Sequence, residues 1–124
     1  MILTRSGPRT VTSILGFEVE ETFPFHLEYR EGDHVFRFQA ELTNLQSRAD
    51  IMVYDTTKDG HWQPPFEQEP LDEATRHRIL VRVSAALALL NITPAWEVFA
   101  PDDWRRDWPV IEAEAAALLR RAEP

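Results

Sequence analysis

The chain has 124 residues, 44% hydrophobic and 27% charged, with no cysteine and a formal net charge of −8. That length predicts one domain, residues 1–124, able to bury a core without metal or disulfide staples. The missing thiols exclude disulfides, thiolate metal sites and a thiol nucleophile, and the anionic balance argues against nucleic acid and anionic membrane as partners.

Acidity has a plain reading, solubility, beside the sharper one of a basic partner. The opening segment MILTRSGPRTVTSILGF has no long apolar run followed by small residues, so no signal peptide is expected. The longest near-apolar run, Val83 to Leu90, is far short of the ~20 residues that span a bilayer. The expectation is a cytoplasmic protein.

Phe17, Val19 and Glu21 predict a first strand that ends near Pro24. Phe25, Leu27 and Tyr29 then alternate with His26, Glu28 and Arg30. Phe36, Phe38, Ala40 and Leu42 alternate with Arg37, Gln39, Glu41 and Thr43. Period two with aromatics marks half-buried strands. Gly32-Asp33 between them suits a two-residue type II′ turn. That turn pairs Glu31 with His34, Tyr29 with Phe36, Leu27 with Phe38 and Phe25 with Ala40. It sets Glu28 opposite Arg37 on the other face, an opposite-charge cross-strand pair.

After a polar loop, Ile51 to Tyr54 predict another strand and Lys58-Asp59-Gly60 a turn. His61-Trp62 reads as a short last strand, stopped by Pro64-Pro65. Asp72 is an expected helix N-cap with Glu73 in the first turn. Ile79, Val83, Ala86, Leu87 and Leu90 form one apolar stripe, ended by Asn91 and Pro94. Ala95 to Ala100 predict a closing strand. A second amphipathic helix is expected from Asp107 or Trp108, with Pro109 in its first turn and Ile111, Ala115, Leu118 and Ala122 on one face. The predicted fold is α+β: an antiparallel β-meander packed against one amphipathic helix, with a C-terminal helical extension over about 101–124 and no βαβ alternation.

Catalytic and metal chemistry find little support. By register His26 and His34 fall on opposite faces and cannot share an ion. His61 and His77 could approach across a loop but lack metal-ligand spacing. The serines have no GxSxG elbow, and the four glycines form no phosphate cradle. The expectation is a non-enzyme without metal or cofactor. Arg76, three residues before Ile79, falls on the apolar stripe, while Arg78 and Arg82 are expected to point away. Arg76 reads either as a side chain snorkelling to Glu67, Glu69 or Asp72, or as an anchor shaping the loop HWQPPFEQEP. Trp62, Trp96, Trp104 and Trp108 read as core-edge rings or as interface rings.

The order of features is more specific than any one of them. A strand and MVYDTTKDG lead to Trp62, Pro64-Pro65, an acidic stretch, Glu69-Pro70-Leu71, Arg76, Ile79 and a helix ending in ALALLNI. Over about residues 25–98 this resembles the bacterial polymorphic-toxin immunity proteins of the family numbered seventy-four. The resemblance implies a small non-catalytic α+β protein that binds and neutralises a cognate toxin, with a basic nuclease-like domain as partner. It assigns no toxin-contacting residue; Trp62, Pro64, Pro65 and Arg76 serve equally well to build the fold. Charge supplies the candidates: an anionic ridge offering Asp59, Trp62, Glu67, Glu69 and Asp72 to the partner, with Arg76 as structural anchor. The alternatives are a self-assembling module, monomer or homodimer, using edge strands or an exposed stripe at Ile111, Leu118 and Leu119, and a small-ligand protein using a cleft between sheet and helix.

Overall fold

The computed structural model describes residues 2–22, 26–42, 50–57, 60–98 and 103–122, with the backbone alone at 97, 98, 103–107 and 122. The elements run β1 (Leu3–Gly7), β2 (Thr10–Ser13), β3 (Phe17–Thr22), β4 (His26–Glu31), β5 (His34–Leu42), β6 (Ile51–Asp55), α1 (Glu73–Leu89), β7 (Pro94–Val98) and α2 (Asp103–Ala122). All seven strands join one sheet in sequence order, a mixed α+β fold.

Alternation builds the central hairpin in the register that the sequence predicts. Glu31 pairs with His34, Tyr29 with Phe36, Leu27 with Phe38 and Glu28 with Arg37; Phe25 lies outside the described residues. Gly32 has φ +60 and Asp33 does not share a positive φ, which is the type II′ pattern. On the outer face Arg37 Nη2 reaches Glu28 at 2.9 Å, and Arg30 Nη1 reaches Glu18 at 2.8 Å. Such half-exposed pairs secure strand register more than stability. The inner face carries Val19, Leu27, Tyr29, Phe36, Phe38 and Val53, all at most 2% exposed.

Three features of the sheet differ from the sequence reading. The hairpin of β1 and β2 goes unpredicted, because each strand buries one apolar side chain, Leu3 or Val11, too few to set a period. His61 and Trp62 form no strand; a single backbone bond, from Gln63 N to Val35 O at 2.8 Å, ties this segment to β5. And β7 pairs with β6 in parallel, with Ile51 opposite Pro94 and Val53 opposite Trp96, so β6–α1–β7 is a βαβ unit. The 17 residues of α1 return the chain to the start of β6, where the next strand can only enter in the same direction.

Helix α1 starts where the sequence predicts, with Asp72 as N-cap accepting from Thr75 N at 2.8 Å. It ends in a full Schellman motif. Asn91 adopts φ 61, Ile92 N donates to Leu87 O at 2.9 Å, and Asn91 N donates to Ala88 O at 3.0 Å. The predicted stripe is buried, but so are Leu80, Val81 and Ala85, because α2 packs on α1. The C-terminal helix is thus a second layer on the first. It begins at Asp103 rather than near Asp107, placing Pro109 inside the helix, where its ring is exposed and Ile111 beyond it is buried.

Asn91 supplies the first prediction. Asn91→Gly should leave stability unchanged or raise it by up to about 1 kcal/mol, since glycine enters the left-handed region without a Cβ penalty. Asn91→Val should lower it by roughly 1–2 kcal/mol. Urea denaturation of both variants distinguishes these signs.

Candidate functional site

From Trp62 to Glu69 the acidic ridge is clasped by hydrogen bonds and ring contacts. Phe66 N donates to Gln63 O at 3.1 Å and Glu69 N to Phe66 O at 3.0 Å, two successive tight turns, the first of which holds the cis Pro64-Pro65 bond. His34, at the hairpin turn, stacks on Phe66 with centroids 3.9 Å apart and meets the Trp62 ring edge-on at 5.0 Å. Its Nε2 lies 3.0 Å from Glu69 Oε2. Trp62 in turn stacks on Tyr29 at 6.5 Å, and Tyr29 on Phe17 at 5.9 Å. A ring column therefore runs from β3 through the hairpin to the ridge.

The predicted ridge residues take different places on this scaffold. Glu67 is exposed, Glu69 is exposed and held by His34, and Asp72 is exposed and caps α1. The side-chain and backbone hydrogen bonds from Thr75 hold the Asp72 carboxyl below its ordinary value, so it stays charged. Glu73 adds a fourth exposed carboxylate, 79% open. Trp62 is 5% exposed, which removes it as a contact residue: its ring is fully used by Tyr29, Phe36 and His34. Asp59 lies outside the described residues. Arg76 is buried as its helical angle requires, and its Nη1 lies 3.1 Å from Glu73 Oε2, an acid one turn back that the sequence reading did not name.

The sequence reading missed a charged cluster beneath α1. Arg78 and Arg82, expected to point away, reach down to the end of β4. Arg78 grips Glu31 with two bonds, Nε to Oε1 at 2.7 Å and Nη2 to Oε2 at 2.9 Å. Arg82 Nη1 donates to Glu31 Oε1 and to the Tyr29 hydroxyl, both at 3.0 Å, and its guanidinium lies 4.6 Å over the Phe17 ring. A signal for it was present. The hairpin register puts Glu31 on the core face with Tyr29, and a carboxylate there needs a cation. Arg78 and Arg82, one turn apart, are spaced to supply it.

Burial raises the Glu31 carboxyl, but the hydrogen bond and charge of Arg78 and the charge of Arg82 outweigh it, and the net shift is downward. Burial also pushes the Tyr29 phenol up, against the Arg82 hydrogen bond, and the bond to Glu31 raises Arg78. The Glu31 carboxylate is thus held charged between two guanidiniums, beside a phenol that burial keeps neutral. Trp96 and Trp108 meet edge-on at 5.5 Å as core-edge rings; the Trp104 side chain lies outside the described residues. His77 bonds Glu114 of α2 at 2.6 Å rather than approaching His61. Among the described residues no group of three metal-ligating side chains occurs, and no helix is long and apolar enough to cross a membrane.

A depressed folded-state carboxyl contributes stability that is present above the unfolded value and lost as pH falls through the folded one. Unfolding free energy should therefore drop as pH falls from the unfolded glutamate value through the lower folded one. Glu31→Gln should flatten that drop and cost roughly 1.5–3 kcal/mol at neutral pH, from lost charge-assisted hydrogen bonds. Denaturant titrations at both ends of the range measure this. Comparison with family models, with curated proteins and with solved structures finds no match for this chain.

Proposed function

We propose that this chain is a non-catalytic immunity-type protein, which binds a basic, nuclease-like toxin domain in the cytoplasm and blocks it. One observation carries the reading: Glu67, Glu69, Asp72 and Glu73 are all exposed on a segment clasped to the β4–β5 turn by His34, Phe66 and Trp62. Carboxylates displayed on a rigid support lose little entropy on binding, and their field raises the encounter rate with a cationic cleft. The chain's net charge of −8 acts in the same sense. The resemblance to the immunity family numbered seventy-four, over about residues 25–98, points to the same activity.

The self-assembly alternative asked for an apolar stripe open to solvent at Ile111, Leu118 and Leu119. Ile111 and Leu118 are instead buried, and Leu119 is half-buried, on a helix packed against α1. That surface serves the fold, so a homodimer would have to join through its edge strands, β1 or β7.

The test starts with affinity capture of the tagged protein from its native cell. A single stoichiometric basic partner, released by salt, is the expected result. Stopped-flow association with that partner then uses the triple variant Glu67→Gln, Glu69→Gln, Asp72→Asn. Asparagine keeps the helix cap, so the variant removes charge without loosening α1. The association rate at low salt should fall roughly ten-fold and lose most of its salt dependence. Unchanged kinetics would take the ridge out of the interface.

A further inference from the structure

The Arg78–Glu31–Arg82 cluster is unbalanced: two guanidiniums share one carboxylate. Neither exhausts its five N–H donors there, since Arg78 gives Nε and Nη2 to Glu31 and Arg82 gives Nη1 to Glu31 and Tyr29. Both arginines also border a groove of about 320 Å³ between α1 and α2, together with Arg121. Its walls are Val81, Ala117 and Leu118. His77 and Glu114, joined across the two helices at 2.6 Å, border it as well. Among the described residues three arginines face two carboxylates, Glu31 and Glu114, a surplus positive charge on a chain whose total is −8.

We propose that the groove between α1 and α2 binds a small organic anion, with its charged head on Arg78, Arg82 and Arg121 and its apolar body on Val81, Ala117 and Leu118. The volume is that of roughly ten water molecules at about 30 Å³ each, and it falls at the lower end of ligand pockets. Glu31 and Tyr29 hold the Arg82 head from one side and the Phe17 ring supports it from below. The guanidinium is therefore oriented before the anion arrives, which lowers the entropy cost of capture. A carboxylate and a phosphate both match the arginine forks. A bare inorganic ion would leave the apolar wall unused, and a cationic ligand would meet the surplus charge.

Hexanoate and hexyl phosphate, titrated separately into the full chain, are the probes, with hexylammonium as control. Saturable shifts of the Val81 and Leu118 methyl resonances are expected with at least one of the two anions and not with hexylammonium. The tighter of the two identifies the head group for which the groove is built. Ala117→Leu fills the groove away from the Glu31 bonds and should weaken binding at least about ten-fold, near 1.4 kcal/mol, with an unchanged melting temperature. Should that variant fail to fold, Arg121→Gln, on an exposed side chain, should weaken binding several-fold. Absence of saturable shifts with both anions, an equal response to hexylammonium, or full affinity in the folded variant would each overturn the proposal.

Discussion

Helix α1 is buried on two sides, and most of the molecule follows from that constraint. Its Ile79–Val83–Ala86–Leu87 stripe faces the sheet, and Val81 and Ala85, roughly opposite on the helical wheel, are buried as well. A helix covered in this way has little wet surface left for its charges. Arg76, Arg78 and Arg82 must therefore find acidic partners close by, and among the described residues Glu73 meets the first and Glu31 the other two. Without α2 over the second side, Val81 and Ala85 would lie open to water beside the αβ layer. The C-terminal helix is accordingly part of the core, contributing Ile111, Ala115 and Leu118.

The same constraint links the two surfaces with functional promise. Glu31 closes the β4 end of the hairpin and is gripped by α1, while His34, its partner across the turn, carries the ridge through Phe66 and Glu69. The hairpin turn is thus shared by an arginine-rich cluster on one side and an anionic clasp on the other. Both are held by packed rings and charge-assisted bonds rather than by loop conformation alone. A mutation in the Tyr29–Trp62 pair would disturb both at once, which makes those rings poor choices for testing either surface in isolation.

Local features were legible wherever neighbours in sequence are neighbours in space. The β4–β5 register, the type II′ turn at Gly32, the Asp72 cap and the end of α1 at Asn91 all follow from two-, three- or four-residue spacings. The ridge was legible in composition but not in use: burial of Trp62 depends on how closely residues 61–66 lie against β5, which spacing does not show. The Arg78 and Arg82 cluster was missed because a helical wheel judged each side chain against the stripe alone. The long guanidinium arms reach past the edge of the stripe to a carboxylate 47 or 51 residues away.

Periodicity, turn chemistry and charge suffice for the α+β class, the central hairpin and its pairing, the limits of α1 and the anionic character of the chain. The parallel return of β7 beside β6, the folding of α2 onto α1, and the meeting of Glu31 with two arginines arise only in the packed molecule. Each of these brings together segments far apart in the chain. Their geometry is set by which faces must be buried at once, and no local pattern encodes that.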